Sequence, residues 1–412
     1  MSVTSDPPAL EALLLELGVA LTMTGDAISE IQTQLRAIAS AHGFEHARIS
    51  VFPTLLIVLL DEGRPADVRT IDSIRQLPLD QASEVIRIAR RAEAGAIEPG
   101  EAIAALERTL ASPPRFGALT VIAAHGVLTI GLGLVIQPAA TDLWVYAGLG
   151  ILVGGLSAAA SRFGFAGGYL LPVFAAALVS AIAFLTHGGN DAASLRLTIP
   201  PLVTFLPGAL LTMATVDLAM GETVTGASRF VAGMIQLSLL AIGIVIGAEL
   251  VGDPLSGPVA GSADDTLGPW SPWAGVLLFG TGIFIHNSAP RRSFPWLLVV
   301  LFAAWIGQLV GRQVVDATLS GFIGAAVMVP VAHAVAHAPH APPAHVMFLP
   351  AFWLLVPGTI GLIGVAELVG DNRQAGSENL ATALVSIPSV ALGILVGTMF
   401  VRAARTVTSS SR

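Results

Sequence analysis

The 412-residue chain is 54% hydrophobic and 12% charged, with a mean hydropathy of +0.78 and a formal net charge of -8. A soluble domain carries about 25% charged residues, so this is the composition of a polytopic membrane protein. The acidic balance argues against a nucleic-acid partner, and the lack of cysteine excludes disulfides, thiolate catalysis and cysteine-ligated metal.

Residues 1–116 contain no run of the roughly 18 to 20 apolar residues that a bilayer crossing needs, and they read as a small soluble α+β domain. The apolar stretch 9–21 is interrupted by Glu11 and Glu16 and lacks a basic n-region, which argues against a signal peptide. Helical periodicity runs over 8–41 with a break near Gly25, and returns over 80–94 and 99–110. Between these lie β-rich runs at 47–52, 54–60 and 68–74, bounded by Pro53 and by Asp61, Glu62 and Gly63. The Pro113-Pro114 pair punctuates the end of the domain.

Ten apolar spans follow, at about 117–137, 143–161, 165–186, 199–219, 229–251, 272–289, 294–311, 314–337, 345–369 and 380–402. A cytosolic N-terminal domain puts Arg162, Arg229, Arg291, Arg292, Arg402, Arg405 and Arg412 inside, against Arg196, Arg312 and Arg373 outside, which satisfies the positive-inside bias. Both termini are then cytoplasmic. The acidic connection 252–271, with Asp253, Asp264 and Asp265, falls outside and separates a first set of five spans (117–251) from a second (272–412). Five being odd, the two sets enter the membrane in opposite senses, as inverted repeats.

The repeat is also written in the residues. Pro207-Gly208 with Asp217 recurs 150 positions later as Pro357-Gly358 with Glu367, and the Gly243/Gly247 pair recurs as Gly393/Gly397. A proline-broken helix frees backbone N–H and C=O groups where little water is available, and an acid at membrane depth is costly unless used. Secondary transporters place substrate and ion sites at such breaks. Asp217 is therefore the first candidate for the coupling group and Glu367 its partner, although the same acids could serve as interfacial caps. Thr204, Thr212 and Thr215 could bond a polar substrate or pack helices.

Other polar residues carry weaker signals. Glu249 and Asp316 read as interfacial or helix-start residues, Glu222 and Arg229 as a loop pair or a gate salt bridge, and His125 as a relay or a packing group. His333, His337, His340 and His345 lie in a proline-rich connector without an acid or cysteine, so no metal site is expected. Glu30, His42 and His46 are the candidates for catalysis in the N-terminal domain, but Gly43 separates the histidines and no enzyme is expected. Walker A, GxGxxG and GxSxG patterns are absent, so no nucleotide cofactor is implied and an ion gradient is the expected energy source.

The segment Pro207-Gly208, Asp217-Leu218, Gly221, Gly226 and Ser228-Arg229, together with Gly25-Asp26-Ala27 and Glu30, resembles the threonine/serine exporters. The resemblance covers nearly the whole chain. It implies a cytoplasmic N-terminal domain joined to ten spans in a prokaryotic cell membrane, and export of small hydroxy amino acids driven by protons or membrane potential. Arg229 joins the candidate site through this motif. Related proteins imply dicarboxylate export, such as of succinate, as the alternative, with a passive channel as the other class. No cofactor is expected, and a homo-oligomer is left open.

Overall fold

The computed structural model describes residues 6–63, 65–71, 76–136, 139–163, 170–187, 191–252, 267–338, 341–355, 357–369 and 373–410. It divides into two compact units, one of residues 1–115 with 213–229 and the other of residues 116–212 with 230–412.

The first unit opens with α1 (Pro7–Thr22) and α2 (Ile28–Ala41), followed by β1 (Arg48–Val51), β2 (Leu55–Leu59), β3 (Asp67–Thr70), α3 (Leu79–Glu93) and α4 (Pro99–Leu110). The strands form an antiparallel meander in the order β1-β2-β3, with Arg48 opposite Leu59 and Leu55 opposite Thr70. Alternation puts Ile49, Val51, Leu56 and Val58 on the buried face. That face receives α1, where Gly18 lies against Leu56 with no room for a Cβ. The expected break between α1 and α2 falls at Gly25, whose φ of 87° is readily adopted only by glycine. Segment 213–229 joins this unit, which the linear reading of residues 1–116 does not anticipate.

The remaining helices are α5 (Ala118–Ile136), α6 (Leu143–Arg162), α7 (Leu170–Thr186), α8 (Asp191–Thr198), α9 (Gly208–Ala219), α10 (Thr223–Leu250), α11 (Ser271–His286), α12 (Phe294–Val314), α13 (Ser320–Val335), α14 (Ala344–Leu355), α15 (Pro357–Val369) and α16 (Arg373–Ser410). A 3-10 turn, Pro200–Phe205, precedes α9. Helices predominate because each satisfies its own backbone, as an apolar surrounding requires. Among the described residues, six helices are long and apolar enough to cross a membrane. A seventh is counted if Val346–Leu355 and Ile360–Val369, bent by 43°, make one span. The protein is thus a multi-pass helical membrane protein. Where ten spans are expected from sequence, three coincide with shorter apolar helices, Leu170–Thr186, Ser271–His286 and Ser320–Val335. Asp253, Asp264 and Asp265 of the expected outer connection lie outside the described residues.

Helix contacts recur for glycines 150 positions apart, their partners lying 149 apart. A Cβ on Gly243 would meet the Val173 carbonyl oxygen and Ala176, and one on Gly393 would meet the Phe322 carbonyl oxygen and Ala325. Gly247 abuts Ala177 and Ser180, as Gly397 abuts Ala326 and Val329. Helix α10 therefore packs on α7 through the same glycine face that α16 presents to α13. The Ser180 hydroxyl adds a 2.7 Å bond to the Ile244 carbonyl. Since backbone cannot swing aside as a side chain can, Gly393→Ala should destabilise by about 1–3 kcal/mol. Gly155→Ala, with nothing within 4 Å of its Cβ, should stay within about 0.5 kcal/mol. Thermal unfolding in detergent distinguishes the two.

Candidate functional site

Both Pro-Gly sequences stand at helix starts, Gly208 opening α9 and Pro357 opening α15. A break leaves carbonyls without their helical donors. Glutamine side chains supply them: Gln236 Nε2 donates to the Phe205 carbonyl at 2.6 Å and Gln308 Nε2 to the Leu355 carbonyl at 3.2 Å. The two carbonyls are 150 positions apart, two residues before each proline. The donors come from α10 and α12, so the solution is chemically repeated although the donor's position is not. Thr204 is half-buried in the 3-10 turn, and Thr212 is fully buried in α9 with its hydroxyl unpartnered among the described residues.

Helices α9 and α10 form a tight hairpin. Gly221, at φ 90°, makes the turn, while the Met220, Gly221 and Glu222 amides bond back to the end of α9. Gly226 lets the helices touch, because a Cβ there would lie 2.6 Å from Leu218 Cγ and 2.9 Å from the Ala214 carbonyl oxygen. The hairpin thereby brings residues twelve apart in sequence face to face. Arg229 Nη1 donates to Asp217 Oδ2 at 2.6 Å, with the Asp217 side chain fully buried and that of Arg229 16% exposed.

The same geometry recurs in α15 and α16. A Cβ on Gly376 would lie 2.6 Å from the Leu368 amide nitrogen and 2.9 Å from the Gly364 carbonyl oxygen, and Asn379 Nδ2 donates to Glu367 Oε2 at 2.7 Å. Asp217 maps onto Glu367 and Arg229 onto Asn379 at the offset of 150. Each buried acid thus meets a donor twelve residues on, charged in the first copy and neutral in the second.

Within the first unit, Asp217 Oδ1 also accepts from the Ile28 amide at 2.9 Å, and Arg229 Nη2 donates to the Asp26 carbonyl at 3.1 Å. Helix α2 has Ala27 at its N-cap, with no side-chain cap bond, so the Asp217 carboxylate takes the capping role from a distant part of the chain. Gln32 Nε2 donates to Glu222 Oε1 at 2.6 Å, and Arg36 Nη2 reaches both Gln32 Oε1 at 3.3 Å and the Ile49 carbonyl at 2.9 Å. Polar contacts therefore link the α9–α10 hairpin to β1. The expected loop or gate pair between Glu222 and Arg229 is replaced: the hairpin turns Arg229 toward Asp217 and leaves Glu222 to Gln32.

Asp316 accepts from the Leu319 amide at 2.8 Å in the turn that precedes α13, and Glu249 is exposed near the end of α10. His333 and His337 bond carbonyls one turn back, and the described residues contain no group of three potential metal ligands. His340 lies outside the described residues, as does the side chain of His345. In the first unit, His42 is buried and bonded to the Ile38 carbonyl while His46 is exposed. His125 is fully buried, its Nε2 3.0 Å from the Pro201 carbonyl oxygen. Sequence reasoning misses His286, whose ring lies 5.0 Å from that of His125, both rings leaving Nδ1 unpartnered among the described residues. The signal was a second histidine at the end of an apolar span. Asn379, Gln236 and Gln308 were also missed, being single amides without a motif.

Residues 12–251 match the family model described as "Putative threonine/serine exporter". The chain belongs to this family. It is a family of exporters and not of enzymes. The chain is also similar to a protein named threonine/serine exporter from Corynebacterium glutamicum, 23% identical over an alignment covering 95% of this chain and 82% of the relative. No solved structure matches this family member.

The two acids should respond differently to loss of their donors. Arg229→Met leaves a buried carboxylate with only the Ile28 amide and should cost about 3–5 kcal/mol. Asn379→Leu removes a neutral amide and should cost about 1–3 kcal/mol. Thermal unfolding of the two variants in detergent checks that order.

Proposed function

We propose that the protein is a secondary-active exporter of small hydroxy amino acids, threonine and serine, from the cytoplasm, driven by protons. The observation that carries this reading is the buried Asp217–Arg229 pair beside a proline-broken helix in a member of this family. A zwitterion needs one carboxylate for its ammonium and one cation for its carboxylate, and the pair supplies both. A dicarboxylate such as succinate would bring two negative charges to a pair that already contains one, which disfavours that alternative.

The guanidinium beside Asp217 moves the proton-carrying role to Glu367. Asn379 suits that role because its amide can donate to an ionised carboxylate and, turned over, accept from a protonated one. This reading takes the chain as ten spans in two inverted sets of five, with alternating access about the breaks at Pro207-Gly208 and Pro357-Gly358. Six long helices, one bent pair and three shorter apolar helices are compatible with that count. The contacts repeated at the offset of about 150 support the internal repeat. In this reading residues 1–116 and both termini are cytoplasmic, 252–271 is extracytoplasmic, and the host membrane is the prokaryotic cell membrane.

Counterflow in proteoliposomes tests the reading, with labelled threonine, serine, alanine or succinate offered to vesicles loaded with the unlabelled compound. Saturable threonine and serine exchange is expected. Exchange of succinate alone would transfer the protein to the dicarboxylate reading, and flux that neither saturates nor exchanges would make it a channel. Asp217→Asn should lower threonine exchange at least about thirtyfold, since breaking a buried charge pair costs about 2–5 kcal/mol. Glu367→Gln should retain exchange while net efflux loses its response to a pH gradient.

A further inference from the structure

The Asp217–Arg229 pair is completed by the main chain of one short turn. The Ile28 N–H points at the carboxylate at 2.9 Å and the Asp26 carbonyl accepts from the guanidinium at 3.1 Å. A donor facing an acid and an acceptor facing a base, presented together, is also the polar outline of an α-amino acid. We propose that the Asp26–Ala27–Ile28 turn is an internal competitor: it occupies the positions on Asp217 and Arg229 that the ammonium and carboxylate of threonine or serine take, and substrate binds by displacing it. The proposal deepens the exporter reading of this pair and rests on it.

Three observations favour displacement over a fixed structural joint. First, the turn offers uncharged amide groups, whereas a zwitterion brings an ammonium to Asp217 and a carboxylate to Arg229, adding an attraction between opposite full charges that the turn's bonds lack. The substrate can therefore outcompete the turn on the same two side chains. Second, Ala27 provides no side-chain oxygen to cap α2, so the N-cap side chain does not compete with substrate for the Ile28 N–H or replace Asp217 there. Third, the Gln32–Glu222 bond of 2.6 Å lies one turn further along α2. It keeps the turn near the pair and makes the competition intramolecular. A dicarboxylate has no ammonium with which to replace the Ile28 N–H, so the same device favours amino acids over succinate.

Ile28→Pro isolates the effect. Position 28 is the first residue of α2, where proline is tolerated, and Ala27 already has the extended backbone (φ -64°, ψ 138°) that a residue before proline adopts. The substitution deletes the competing N–H and leaves Asp217 and Arg229 untouched. Its comparison is Ile28→Val, which trims the same buried side chain but keeps the N–H. In threonine counterflow with the full chain, the half-saturation concentration of Ile28→Pro should fall about five- to tenfold below that of Ile28→Val, because a larger fraction of the protein is open to substrate. Gln32→Met, which loosens the tether without touching the turn, should shift it in the same direction and serves if the proline variant is not recovered folded. Equal half-saturation in Ile28→Pro and Ile28→Val, or a rise in Gln32→Met, would overturn the competitor. Absence of threonine or serine exchange in the unaltered protein would instead overturn the exporter reading beneath it.

Discussion

A fully buried carboxylate held by a partly buried guanidinium is the constraint on which the rest depends. Removing two charges from water costs several kcal/mol per ion, and their attraction compensates only if the remaining hydrogen-bonding positions are also filled. At Asp217 and Arg229 the Ile28 N–H and the Asp26 carbonyl, from nearly 200 residues earlier in the chain, each fill one further position. The requirement explains why 213–229 packs as part of the unit formed by residues 1–115. It also explains why α2 can begin at an alanine: its cap is Asp217.

Two hairpins 150 positions apart show how similar geometry places two different acids. Glycines at 226 and 376 let each hairpin close, and the closure places an acid against the residue twelve positions on. Arginine in the first copy fixes a charge of opposite sign beside the carboxylate. Asparagine in the second supplies a group that can serve either protonation state. Two side-chain differences, Asp217 against Glu367 and Arg229 against Asn379, thus give the two hairpins acids in different electrostatic surroundings.

Much of this was legible in the sequence because it is written in local patterns. The N-terminal helices and strands follow period and punctuation, and Gly25, Pro99 and Pro207-Gly208 mark real boundaries. The acids at 217 and 367 stood out through their shared register. Their partners did not, because a separation of twelve does not put two residues side by side on one helix, and only the hairpin at Gly221 makes it a contact. The tie to Asp26 and Ile28 uses backbone atoms, which no residue type announces. His286 and the two carbonyl-capping glutamines were hidden for a related reason: a single polar residue in an apolar span has no pattern until its neighbour is known.

The most direct test uses the chain's lack of cysteine, which makes a single introduced thiol unambiguous. Ala27 lies at the centre of the turn and is 4% exposed, so the thiol of Ala27→Cys should react slowly with a maleimide in the substrate-free protein. Saturating threonine should accelerate labelling, and succinate should not. A rate that threonine leaves unchanged or slows would contradict displacement of the turn from Asp217 and Arg229.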